Sequence, residues 1–302
     1  MVRDKGLLTH VLFSWHGALS LVRKLETTSR GVLIRSTIIA LACSFWASPH
    51  GTALAAGFRD PQEPVGALIV NHKNFKYSEK ADVQKTTRVA RLRVFFAHSA
   101  EGENIVSGIE SLRSGYAIRY PLRVESVGNR PIGPSRLGKI YEINRGDPGS
   151  EKKVQLFEEY VAEGWRLPIV DVALNTFGAG DQEADIDRYI QSMLVLEETN
   201  RGTTFLYATI PLTTDDPDSN ARRELFNFRL RRFAAANNKP LLDIADIESY
   251  SAKGKPATCT SKGHVYRCLN TDYVGESGSL NGVGSQRLAK GLISLLELAA
   301  VR

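Results

Sequence analysis

Residues 92–102, Leu-Arg-Val-Phe-Phe-Ala-His-Ser-Ala-Glu-Gly, constrain the fold more than any other stretch of this chain. The apolar run over 92–97 suits a buried strand, and it stops at Ser99. Residues 104–112 then place Ile105, Ile109 and Leu112 on one helical face. A strand that turns into a helix at a serine sets a hydroxyl at the strand's carboxyl end, beside the free N–H groups of the new helix. A serine nucleophile needs that placement. The same serine also suits a plain helix N-cap.

The strand–helix alternation continues downstream. Ser150 and Glu151 open a helix with Val154, Phe157 and Val161 on its core face, residues 169–174 read as a buried strand, and 185–198 as a helix. Residues 203–210 form a β-rich run ended by Pro211. Ser219 or Asn220 starts the helix of Leu225, Phe228, Leu230 and Phe233, 240–244 is a short strand, and 283–298 is the closing helix. Residues 121–127 suit a strand, while 128–149, with three prolines and five glycines, read as a long loop. Strands separated by helices imply a parallel sheet covered on both faces. The expectation is a three-layer α/β/α domain over residues 91–302 with about five parallel strands, preceded by an arm over 57–90. Ligands of such sheets sit at the strands' carboxyl ends, where Ser99, the 177–181 loop and the Pro211 loop converge.

The net charge of +6 first suggests a nucleic-acid partner. Residues 1–56 hold six of the 39 basic residues and two of the 33 acidic ones, so the rest carries 33 against 31, a charge of +2. A near-neutral domain has little electrostatic reason to bind nucleic acid. Those 56 residues read as an extension and an export signal. Arg30 and Arg35 precede the apolar run 36–47, and Ala53-Leu54-Ala55 offers the small residues a signal peptidase reads, with cleavage before Ala56. The apolar run is too short to span a bilayer, so no stable span is expected after processing. A single anchoring or buried helix is the competing reading, and Cys43 after Ala40-Leu41-Ala42 loosely follows a lipoprotein pattern. The expected location is periplasmic or secreted. Cys259 and Cys268 are then left as a pair nine residues apart, which suits a disulfide in an oxidising compartment; two unpaired thiols are the alternative. No metal site or cofactor is expected, since His264 alone does not complete a zinc set with these cysteines.

Four blocks over about 91–298 resemble the SGNH/GDSL-like hydrolase superfamily. Phe96-Ala97-His98-Ser99-Ala100-Glu101-Gly102 is similar to its strand, serine, then x-x-Gly. Ile143-Asn144-Arg145-Gly146-Asp147-Pro148 is similar to its glycine loop, though Gly-Asp-Pro is also a common turn. Gly178-Ala179-Gly180-Asp181 stands where the family has Gly-x-Asn-Asp, with Gly180 at the asparagine's place; Asn175 lies nearby, and Asp181 also suits a helix cap. Tyr273–Gly284 matches Asp-x-x-His-Leu-Asn…Gly in Leu280, Asn281 and Gly284, with Glu276 for the aspartate and Ser279 for the histidine.

The resemblance implies an ester hydrolase or carbohydrate O-deacetylase acting on a small ester or an acylated glycan. Ser99 would be the nucleophile, and Gly146 and the Ser99 N–H the oxyanion donors, with Asn175, Gly180 and Asp181 in the binding region. It also implies a handicap, because a serine at 279 cannot take Ser99's proton at neutral pH. His98 adjoins Ser99 but points away along a strand; His72 and His264 are the remaining candidates for a base. The alternatives are therefore an enzyme of reduced or lost activity, a non-catalytic protein binding an acylated or glycan ligand, and a hydrolase using Asp181 and Glu276 as paired carboxylates.

Overall fold

The computed structural model describes residues 68–75, 83–127, 136–162, 170–214, 216–275 and 279–300. The leader with its cleavage site, Cys43 and Glu276 lie outside the described residues.

Phe95 and Phe96, on alternate sides of β2 (Arg93–His98), are both buried, so the strand needs cover on both faces. It pairs in parallel with β4 (Lys139–Asn144) on one side and β5 (Val172–Asn175) on the other. β6 (Thr204–Ala208), β7 (Leu241–Leu242) and β1 (Ile69–Val70) extend the sheet past β5, and β3 (Arg123–Ser126) flanks β4. The order is β1-β7-β6-β5-β2-β4-β3, and every pairing is parallel. The five expected strands are present as β2, β3, β5, β6 and β7; β1 at one edge and β4 between β2 and β3 are additions. The chain leaves β2 for β3 and β4 on one side and then crosses back to β5 on the other, so the topological switch falls at the carboxyl ends of β2 and β5.

Helices α1 (Val83–Val89), α2 (Ala100–Gly115) and α7 (Gly282–Ala299) cover one face. There Phe96, Leu174 and Leu206 meet Ile105, Ile109, Leu292 and Leu296. Helices α3 (Ser150–Ala162), α4 (Ile186–Thr199) and α5 (Pro217–Ala236) cover the other, where Phe95, Phe205 and Tyr207 meet Phe157, Tyr189, Met193 and Phe226. Gly108 lets α2 and α7 approach closely, since a Cβ there would stand 2.2 Å from the Ser285 carbonyl oxygen. Three carboxylates cap as their positions demand: Asp185 accepts from Asp187 and Arg188 N–H, Asp216 from Ser219 N–H, and Asp243 caps the short α6 (Ile244–Ser249) through Asp246 N–H. Asp181 is therefore not the cap of α4.

Two segments depart from expectation. Residues 139–144 belong to a central strand instead of a loop. The alternating side chains of Lys-Ile-Tyr-Glu-Ile-Asn are hidden in sequence by the glycines and prolines on either side, and Gly138, at φ +74°, is the turn that feeds the strand. The arm also enters the sheet: Ile69 pairs with Leu241 and Val70 with Leu242. Phe75 is buried under the Arg287 guanidinium at 4.5 Å, and the Ser294 hydroxyl donates to its carbonyl at 3.0 Å.

A hairpin of β8 (Thr258–Ser261) and β9 (His264–Arg267) leans on α5. Cys259 and Cys268 close it as a disulfide, Cα to Cα 5.8 Å, and the Asn220 amide donates to Cys268 Sγ at 3.2 Å. Among the described residues no helix is long and apolar enough to cross a membrane.

Candidate functional site

Ser99 follows β2 in extended conformation (φ −114°, ψ −167°) and precedes α2, yet its side chain makes no capping bond. The residue is buried, and no group hydrogen-bonds its Oγ. The capping explanation for this serine is thus not the one the structure uses. Along β2, Phe96 faces α2 and α7 whereas Phe95 and Ala97 face α3–α5. Alternation then turns His98 toward α2 and Ser99 toward the opposite layer.

His98 is fully buried under α2. Its Nδ1 lies 2.9 Å from the Ser99 carbonyl and its Nε2 2.8 Å from Glu142 Oε2 on the neighbouring β4. A carbonyl only accepts, so Nδ1 carries hydrogen and the ring fixes the Ser99 backbone. The bond from His98 holds the Glu142 carboxyl below the usual carboxylate range, outweighing the rise from burial. The glycine of Ser-x-x-Gly follows from this packing: a Cβ on Gly102 would stand 2.2 Å from His98 Cβ.

His98 therefore has both nitrogens committed and cannot serve as the base for Ser99. His72 is committed too, with Nδ1 2.5 Å from Asp246 Oδ1 and its ring stacked on Tyr250 at 3.5 Å. His264 is exposed on β9. Ser279 is exposed in the loop before α7, where its carbonyl accepts the Gly275 N–H at 2.7 Å. That loop otherwise keeps the expected frame: Asn281 caps α7 through Val283 and Gly284 N–H, and Gly284 packs closely on Tyr273.

The oxyanion candidates sort differently from the sequence expectation. Gly146 sits at φ +66° and is exposed, and its N–H is taken by Asn144 Oδ1 at 2.9 Å, so it offers no donor to Ser99. Gly180 is exposed at a turn and brings no side chain. Asn175 is the residue the topology brings close. It ends β5 opposite Ala97, on the same face as Ser99, fully buried with neither amide atom hydrogen-bonded. Asp181 is buried in an ion pair with Lys153 at 2.6 Å and also accepts the Gly178 N–H at 2.7 Å. A carboxylate so held is structural, which removes it from a catalytic carboxylate pair.

Sequence reading missed Arg145. Its guanidinium donates to the carbonyls of Lys153 at 2.7 Å and Thr176 at 2.8 Å, with longer contacts to Ala97 and His98 at 3.4 Å. Burial pushes its pKa down to about 10. One side chain thereby ties together the ends of β2 and β5 and the first turn of α3. Its only sequence signal was a basic residue in a glycine loop. Among the described residues no group of three or more His, Cys, Asp or Glu side chains could hold a metal ion.

No protein-family model and no curated protein matches the sequence. In fold the chain is similar to solved SGNH/GDSL-type hydrolases. A GDSL-like lipase from Bacteroides thetaiotaomicron is 13% identical with a TM-score of 0.45, over 73% of this chain and 91% of that one. An acetylxylan esterase from Geobacillus stearothermophilus is 11% identical with a TM-score of 0.42, over 68% and 94%. The catalytic domain of a peptidoglycan O-acetyltransferase from Streptococcus pneumoniae is 8% identical with a TM-score of 0.39, over 70% and 95%.

Proposed function

We propose that this chain is an exported SGNH-like protein of the ester-hydrolase type, directed at a small ester or an O-acylated glycan of the cell envelope or its surroundings, with hydrolysis reduced or lost. One observation carries the reading. Ser99 stands at the switch point with a buried, unpartnered hydroxyl, while His72 and His98 are committed to other partners and His264 is exposed on β9. The placement suits attack on an acyl carbon, with the N–H groups of the first turn of α2 and the Asn175 amide as donors to the developing oxyanion. Among the described residues no proton acceptor meets Ser99 Oγ, and general-base help is typically worth about 10²–10⁴-fold.

A non-catalytic protein that binds the acylated ligand in the same place is the second reading. The exposure of Ser279, at the position of the family's base, favours it. Hydrolysis of an activated acetyl ester, with Ser99→Ala as blank, and fluorophosphonate labelling mapped by mass spectrometry test both. Turnover barely above the blank with slow labelling of Ser99 is expected. Vigorous turnover abolished by Ser99→Ala overturns the reduced-activity reading, and labelling at another residue overturns the assignment of Ser99. The proposal of export rests on the leader sequence; it predicts that protein recovered from an exporting host begins near Ala56, and recovery of intact cytoplasmic protein from Met1 contradicts it.

A further inference from the structure

The loop that joins α2 to β3 lies at the amino ends of the strands, the pole of the sheet opposite Ser99. It turns apolar side chains outward: Tyr116 is 69% exposed and Ile118 91%. Leu137, two residues before β4 at the same pole, is 61% exposed. Lone exposed apolar residues are ordinary on a protein surface, but these three share one end of the molecule. The loop that carries two of them is well tied. The Tyr116 carbonyl accepts the Arg119 and Tyr120 N–H groups, each at 3.0 Å, and the Arg119 guanidinium lies 5.6 Å over the buried Tyr120 ring.

Beside this loop a groove of about 310 Å³ runs between the last turns of α2 and the start of β3. Arg113 lines it from the helix, and Arg123, Leu122 and Val124 from the strand side; Glu110 lies one turn further back along α2. Among the described residues no carboxylate pairs with the guanidinium of Arg113 or Arg123, and Arg113 Nε is buried without a hydrogen-bond partner. Two open guanidinium forks facing one groove suit a phosphate group. Arg91, exposed two residues before β2, adds a cation at the same pole.

We propose that this pole docks on an anionic lipid bilayer, with a phosphodiester headgroup seated between Arg113 and Arg123 and with Tyr116, Ile118 and Leu137 entering the interface. The apolar tip chooses a bilayer over a soluble polyanion. A polyanion would use the arginines and leave Ile118 in water, whereas a bilayer surface rewards charge and apolar burial together. Tyrosine suits the boundary itself, with its ring among the acyl chains and its hydroxyl at the headgroups. The two guanidiniums outnumber the single carboxylate of Glu110, so the attraction survives it. Docked in this way, the strands carry Ser99 away from the bilayer, by roughly 20 Å for the six residues of β2. The mouth of its site then faces the surrounding medium.

Sedimentation with large vesicles tests this, on protein as recovered from its host and with the same N-terminus in every variant. Vesicles of phosphatidylcholine with about one-third phosphatidylglycerol should bind the wild type at least about tenfold more tightly than phosphatidylcholine alone, and less so as salt rises. Arg113→Gln together with Arg123→Gln should weaken that binding about 25-fold, about fivefold for each cation near the surface. Ile118→Ser should weaken it about tenfold through lost apolar burial, with an unchanged urea midpoint because the side chain is exposed in the folded protein. Equal binding to both kinds of vesicle, or none to either, overturns the proposal. So does unchanged vesicle binding in the arginine double variant or in Ile118→Ser. Binding of inorganic phosphate or heparin without binding of the anionic vesicles assigns the arginines to a soluble anion and likewise overturns it.

Discussion

Gly102→Ala probes the packing that fixes Ser99. The added Cβ would stand 2.2 Å from His98 Cβ, 2.5 Å from Cγ and 2.8 Å from Nδ1, whereas carbon atoms rest about 3.5–4.0 Å apart. The clashing atoms lie at the root of the side chain, so rotating the ring gives no relief, and helix and strand must separate by more than an ångström. Overpacking of this kind costs about 1–3 kcal/mol. Displacing the ring also breaks one of its charged or carbonyl-directed bonds, about 1.5–3 kcal/mol more, against a helical gain for alanine of about 0.5–1 kcal/mol. The net loss is about 2–5 kcal/mol. Urea unfolding of the domain, with a slope of about 2–3 kcal/mol/M, should show the midpoint falling by about 1–2 M. His98→Ser in the Gly102→Ala background should recover part of the loss, which a double-mutant cycle registers as coupling. Stability within about 0.5 kcal/mol of wild type, or no coupling, would refute the reasoning.

Ser279→His should raise acetyl-ester hydrolysis, by up to about 10²–10⁴-fold if the loop before α7 stands over Ser99, and Glu276→Asp in addition should raise it further by fixing the imidazole tautomer; no gain means the register of that loop is wrong. Because the folded-state pKa of Glu142 is depressed, its contribution is present above the unfolded carboxyl value and is lost as pH falls through the folded value. The stability gap between wild type and Glu142→Gln should thus be full at pH 6 and close toward pH 3, as urea midpoints at the two pH values will show; a gap that widens on acidification contradicts this. Replacing both Cys259 and Cys268 by serine should cost about 2–3 kcal/mol in chemical unfolding, by the chain-entropy argument for so short a loop, and an unchanged midpoint would show that the hairpin holds without its cross-link.

The alternation of apolar runs made the layered parallel sheet legible, because a strand buried on both faces has to be apolar throughout and each covering helix carries one apolar stripe. Ser99 was legible for the same local reason. Glu142 was not, since its strand lies between turn-forming glycines and prolines and its partner His98 is 44 residues away. Lys153 looks like an ordinary charged helix position, yet it is buried, met by Asp181 from a loop 28 residues on and by Asp147 from the turn before its own helix. The oxyanion set was misread where resemblance replaced geometry: Gly146 fits the expected spacing, but its N–H is used locally.

The pairing of β1 with β7 sets the order in which the chain can finish folding. Ile69 and Val70 wait for Leu241 and Leu242, and Phe75 waits for Ser294. A ribosome must release most of the chain before Ile69, Val70 and Phe75 find their partners. Contacts of such long sequence separation slow folding, because loop closure precedes any reward. Until then the outer edge of β7 is an open row of peptide groups and the N-terminal segment stays free. That delay makes the uncovered β7 edge the place where an interrupted synthesis would first aggregate.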